Sequence, residues 1–148
     1  NVIPEFAEME ITLRSLSVEA RARLAEAVEK LVREIPAAHG LEVSFDIEKG
    51  YPPTVNHQSG AQAVAQAAKA VLGENQYMEM ATPWRGAEDF SYLLERFPGA
   101  FVFLGAALID GERQPCHSSR MRLNEAAFPA GVAMYAALAL QELADKPH

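Results

Sequence analysis

One short loop segment carries the residue types that could do chemistry. His117 lies in the stretch Gln114–Arg120, after the apolar run 100–105 and before the last long helical pattern. Loops between a buried strand and a helix are common places for catalytic groups, and an imidazole can bind a metal ion or accept a proton. The alternative is a polar loop histidine without a chemical role. Position alone makes His117 a candidate metal ligand or general base, and the rest of the chain must decide.

The bulk composition excludes several classes of protein. The 148 residues are 49% hydrophobic and 22% charged, with a formal net charge of −7, which is typical of a soluble globular chain. The basic residues are scattered, so we predict neither a nucleic-acid partner nor a membrane partner. The single cysteine, Cys116, excludes an intrachain disulfide and favours a reducing, cytoplasmic location. The first residue is not Met, which suggests a chain that begins partway through a longer protein.

The first fifty residues predict a β-α-β unit. Apolar and polar residues alternate strictly over 6–15 and again over 41–49, as in strands with one wet face. Between them, Ser17 is a predicted N-cap for an amphipathic helix from Val18 to about Ala38. Two strands joined by a helix should be parallel, yet their amphipathic pattern is typical of mixed sheets. A strand lying between these two, missing from this sequence, would explain both the helical connection and the amphipathic pattern. The pattern therefore predicts a partial ferredoxin-like layer of the α+β class.

The remaining residues predict an α/β layer. Gly50–Pro53 breaks the pattern and is the predicted domain boundary. A helix is expected through Leu72, another from Glu88, and a strand buried on both faces over 100–105. Asn124 is the predicted N-cap of a final helix to about Leu143. Its residues expected to point inward are Phe128, Val132, Tyr135, Ala136, Ala139, Leu140 and Leu143.

No complete catalytic motif is present, but several loop segments occur together in a characteristic order. They are Asn1–Pro4, Leu13–Ser15, Gly50–Asn56, Gly86–Ser91, Phe103–Gly105 and the loop of His117. This order and spacing resemble the C-terminal portion of the aminoacylase/carboxypeptidase superfamily of two-metal metallopeptidases. The most similar branch contains the amidohydrolases that act on hippurate, on N-acyl amino acids and on indole-acetyl-amino-acid conjugates. The resemblance covers essentially the whole chain.

The resemblance implies a fold, a reaction and partners. Residues 1–50 would be the second half of a lid that forms a homodimer, and residues 51–148 the C-terminal part of an α/β catalytic domain. The full-length parent would hold two divalent ions, Zn or Mn, and cleave the amide bond of a small N-acyl amino acid. Its general base and most metal ligands would lie upstream, so this chain alone would be inactive.

The same resemblance implies roles for individual residues. His117 would bind one of the two metal ions. Arg14 and Asn1 match lid positions that meet the substrate carboxylate or the oxyanion. From chemistry alone, Arg14 could equally be a solvated charge on a strand. Backbone N–H groups of Gly86 and Ala87 would face the substrate.

The sequence also departs from the branch. An arginine, Arg85, stands before Gly86 where an apolar residue is usual, and Cys116 replaces a bulky apolar residue before His117. These departures leave the metal role intact and leave the substrate preference open. A different class of function is also compatible with the pattern, namely a non-catalytic, ferredoxin-like dimerisation or interaction module.

Overall fold

A computed structural model describes residues 1–144 as two compact units. The first unit contains residues 1–54 and 82–92. The second contains residues 55–81 and 93–144. We predicted a lid over residues 1–50 and a catalytic domain over residues 51–148. The two units are defined by contacts and not by function, so this assignment stays a prediction.

The first unit is built around helix α1, Val18–Ala38. The helix begins at Ser17, whose side chain accepts a hydrogen bond from the Ala20 N–H at 3.0 Å, as the sequence predicted. Segment 41–51 returns along α1. There the Arg33 guanidinium lies 5.9 Å from the centre of the Phe45 ring, and the Arg21 side chain donates to the Gly50 carbonyl. These two contacts join segment 41–51 to α1.

The second unit has a small helical core. Helix α2, Gln58–Leu72, packs on the C-terminal helix, and a four-residue helix α3, Ser91–Leu94, brings the chain into this unit. The C-terminal helix α4, Phe128–Ala144, follows a 3₁₀ turn, Glu125–Ala127, that is capped by Asn124. The buried apolar side chains of the described residues are Val64, Ala67, Ala68 and Leu94. The small side chains of α2 allow its close packing on α4.

The predicted fold class is wrong for the described residues. None of residues 1–144 lies in a β-strand, so neither the ferredoxin-like α+β layer nor the α/β layer is seen. Segments 6–15 and 41–49 are non-helical as expected, but no backbone hydrogen bond joins them. Alternation specifies which side chains share a face, whereas a strand forms only when a neighbour pairs with its backbone.

Two predictions about burial are also wrong. Residues 100–105 form no strand, and Phe103 is 60% exposed instead of buried on both faces. In α4 the face predicted to point inward is outward, since Tyr135 is 81% and Val132 69% exposed. The face towards α2 instead carries Gln141, whose side chain donates to Gln66 at 3.3 Å. Met134 and Leu138 are half-buried, so the less exposed face of α4 mixes small and large apolar residues.

The segment Glu125–Ala144 is long and apolar enough to cross a membrane by length and composition alone. This is weak evidence, because core helices of soluble proteins pass the same test. The expectation that the protein has no membrane partner stays a prediction.

Candidate functional site

Arg14 is brought to the loop of Gly86 by a hydrogen bond that links distant parts of the first unit. Its Nη1 donates to the carbonyl oxygen of Arg85 at 3.0 Å, across 71 positions of sequence. Gly86 and Ala87 follow directly, so three of the predicted substrate-binding residues lie in one place. A guanidinium has five N–H donors, and the others of Arg14 are available for a carboxylate. Asn1 is exposed and forms no hydrogen bond or ion pair with another described residue.

The indole of Trp84 lies close to Gly86 within this loop. A Cβ atom placed on Gly86 would lie 2.7 Å from Trp84 Cδ1 and closer still to its Nε1. A side chain at position 86 would therefore displace the indole. Trp84 is nevertheless 68% exposed, so the loop presents an aromatic surface to solvent.

The acidic residues after the loop serve its local structure. The Glu88 carboxylate accepts from the Phe90 N–H at 3.5 Å, and its carbonyl oxygen accepts from the Ser91 hydroxyl at 2.6 Å. Ser91 is 1% exposed. These bonds satisfy backbone groups at the start of α3, so Glu88 has a structural role there.

His117 lies in a tight turn of the second unit and has an unusual backbone conformation. The Ser118 N–H donates to the Pro115 carbonyl at 3.2 Å, closing a turn in which His117 has φ +69°. This is the position of a type II turn that glycine normally occupies. Among residues 1–144, His117 is the one non-glycine residue with positive φ. Such strain is often found at functional positions, and the imidazole is exposed and available as a ligand.

The described residues do not by themselves fit a two-metal centre. Within residues 1–144, no three His, Cys, Asp or Glu side chains form a group that could hold a metal ion. The chemistry of His117 suits one ligand position, since neutral imidazole is a common metal ligand. A two-metal centre would therefore need further ligands besides those of the described residues.

Asn56 and His57 form a polar clamp with residues 99–101, which sequence reasoning did not predict. The Asn56 amide donates to the Phe101 carbonyl at 2.9 Å and accepts from the Phe101 N–H at 2.8 Å. The His57 N–H donates to the Gly99 carbonyl at 3.0 Å, and its Nδ1 accepts from the Gly99 N–H at 3.3 Å. Asn56 and His57 thus provide the backbone of residues 99–101 with hydrogen bonds that a paired strand would otherwise supply. They also hold the residues that directly precede α2.

Replacement of Asn56 by alanine is expected to destabilise the second unit. Two hydrogen bonds would be lost at a partly solvated site, so the free energy of unfolding should fall by about 1 kcal/mol. Urea denaturation followed by circular dichroism would measure it. Asn75→Ala is the matched control, because Asn75 is exposed and makes no hydrogen bond with a described residue. Equal stability of the two variants would contradict a stabilising clamp.

Comparison with known proteins places the chain in a family. Residues 4–141 match the family model described as Peptidase family M20/M25/M40. The chain belongs to this family. The match covers nearly the whole sequence, and it confirms the resemblance carried by the loop segments.

Relatives of the chain come from plants, bacteria and archaea. It is 31% identical to IAA-amino acid hydrolase ILR1-like 2 of Arabidopsis thaliana, over 99% of this chain and 34% of the relative. It is 32% identical to N-acetylcysteine deacetylase of Bacillus subtilis, over 95% of this chain and 35% of the relative. It is 33% identical to thermostable carboxypeptidase 1 of Saccharolobus solfataricus, again over 95% of this chain and 35% of the relative. The chain thus spans about a third of these relatives' length.

A solved crystal structure supports the path of the chain. A protein from methicillin resistant Staphylococcus aureus matches with a TM-score of 0.70 at 22% identity, over 84% of this chain and 32% of that one. This likeness concerns the fold alone.

Sequence reasoning selected Arg14 and the 86–87 loop as candidates but did not predict the hydrogen bond that joins them. The residue that joins them is Arg85, noted in the sequence only as a departure. Its carbonyl oxygen carries no sequence signal, because any residue type supplies one. An arginine beside a glycine in a loop was the available clue.

Proposed function

We propose that this chain is the substrate-holding part of a metal-dependent amidohydrolase that cleaves N-acyl amino acids. The observation that carries the proposal is the 3.0 Å hydrogen bond from Arg14 to the Arg85 carbonyl. It sets a guanidinium with free donors beside the backbone of Gly86 and Ala87. Relatives that share the family are named hydrolases or deacetylases of N-substituted amino acids, which supports this reaction class.

The roles within the proposed reaction follow from chemistry. Arg14 would hold the carboxylate of the amino acid by paired, charge-assisted hydrogen bonds. The N–H groups of Gly86 and Ala87 would orient the amide or stabilise developing negative charge on its oxygen. Asn1 would assist at the same carboxylate or oxyanion. His117 would supply one ligand to a Zn or Mn pair, which would activate water when bound.

Finer features belong to the proposal as well. The substrate would be hippurate-like or a related conjugate, the enzyme a cytoplasmic homodimer formed through residues 1–50, and the general base a residue outside this chain. The chain alone would be inactive, since a single imidazole cannot hold two ions. Hydrolysis of hippurate by the isolated 148 residues with Zn or Mn would refute this last point.

Arg14→Ala in the full-length enzyme tests the substrate role. We expect KM to rise about tenfold for N-acyl amino acids, because a charge-assisted bond to the carboxylate is lost at an exposed site. Substrate amides that lack the carboxylate should be affected much less. Steady-state kinetics on both substrate types would measure the difference.

Arg23→Ala is the control for Arg14, because it removes the same charge from an exposed position in the same unit. It should leave KM unchanged for both substrate types. An equal loss for Arg14→Ala with acids and with neutral amides would count against carboxylate binding.

A further inference from the structure

We infer that Arg85 is a specificity-determining residue that selects substrates with a second carboxylate. The inference rests on the proposed function, since it extends the substrate site formed by Arg14 and the 86–87 loop. It concerns the side chain of Arg85, whereas the site described above uses only its carbonyl oxygen.

The geometry places two guanidinium-bearing residues side by side. Arg14 Nη1 lies 3.0 Å from the Arg85 carbonyl oxygen. From standard backbone dimensions, the Arg85 Cα is then within about 5.5 Å of the Arg14 guanidinium. The flexible side chain of Arg85 can therefore reach a ligand that Arg14 already holds. Both arginines are exposed.

Neither arginine is neutralised by a carboxylate. Among residues 1–144 the ion pairs are Lys30–Glu34 and Arg33–Glu29, both on α1. Glu88 and Asp89 lie close in sequence, but the Glu88 carboxylate faces the Phe90 N–H, and neither acid pairs with an arginine. An anionic ligand held by Arg14 would therefore also attract the positive charge of the Arg85 side chain.

The chemistry of the pair suits a dianion. Each planar guanidinium can bind one carboxylate through two parallel hydrogen bonds. An N-acyl amino acid with a neutral side chain offers one carboxylate and would occupy Arg14 alone. An N-acylated acidic amino acid, such as an N-acylglutamate, offers a second one to Arg85.

Titration of the ¹⁵N-labelled 148-residue chain with two probes tests the inference. N-acetylglutamate and N-acetylglutamine have nearly the same shape and differ by one negative charge. Amide shifts of residues 85–87 report binding. We expect N-acetylglutamate to bind roughly five- to tenfold more tightly, with the preference falling as salt is added.

Three variants separate the role proposed for Arg85 from that of Arg14 and from a general effect of positive charge. Arg85→Gln should abolish the preference and leave N-acetylglutamine binding unchanged. Arg14→Gln should weaken both ligands, and Arg23→Gln should alter neither. Thermal denaturation verifies that each variant is folded.

Each remaining outcome has a definite meaning. If both ligands bind equally, or Arg85→Gln keeps the preference, the role of Arg85 is refuted while the proposed function stands. If neither ligand moves the amides of residues 85–87, the substrate site itself is refuted, and the inference fails with it.

Discussion

His117→Ala is expected to lower kcat/KM of the proposed full-length amidohydrolase roughly 10³-fold, because a metal ligand would be lost. Metal content after dialysis should fall in parallel. His39→Ala is the matched control, since His39 is also exposed and lies at the C-terminal end of α1. Steady-state kinetics and metal analysis of both variants would measure the effect.

The positive φ of His117 provides a second, sharper control. Glycine is the residue best suited to φ +69°, so His117→Gly should be more stable than His117→Ala by about 1 kcal/mol. If the imidazole is the ligand, both variants are equally inactive despite this difference in stability. Activity in His117→Gly alone would show that the backbone conformation matters instead. Retained turnover in both would refute the ligand assignment.

Gly60→Ala is expected to destabilise the second unit by about 2 kcal/mol. The added Cβ would lie 2.6 Å from the Gly99 carbonyl oxygen and 2.8 Å from its Cα. These are backbone atoms fixed by the His57 hydrogen bonds, so they cannot move aside cheaply. Alanine favours the helix by about 1 kcal/mol, and the expected net loss includes this gain. The denaturant midpoint should fall at constant m value.

Gly105→Ala in the same unit is the control for this contact. No atom lies within 4 Å of a Cβ placed at Gly105, and its φ is not positive. The variant should change the free energy of unfolding by less than about 0.5 kcal/mol. A Gly60→Ala protein as stable as this control would contradict the close approach of α2 to Gly99.

Family membership and the main helices could be predicted from the sequence. The Ser17 cap and the periodic apolar positions after it specify α1, because helix hydrogen bonds and caps are local in the chain. Asn124 was likewise a correct cap, although the turn it begins is 3₁₀ before α4 starts. Loop segments in order identified the family without any knowledge of contacts.

The strands and the orientation of α4 could not be predicted in the same way. Alternation over 6–15 indicates an extended segment, but pairing depends on a neighbour that the local sequence does not specify. In α4 both faces carry apolar residues, so periodicity alone did not decide which face packs on α2. The tertiary structure places the face that carries Gln141 towards α2.

For the proposed substrate site, residue types and tertiary structure contributed different information. Residue types and motif order were enough to select Asn1, Arg14, Gly86, Ala87 and His117 as candidates. Only the tertiary structure joined Arg14 to the Arg85 carbonyl across 71 positions and placed His117 at positive φ. Residue types and local patterns indicate which chemistry a side chain could perform. Hydrogen bonds between distant segments depend on how the whole chain folds. That long-range hydrogen bond brings Arg85 to Arg14, and it is the basis for the specificity role that we propose for Arg85.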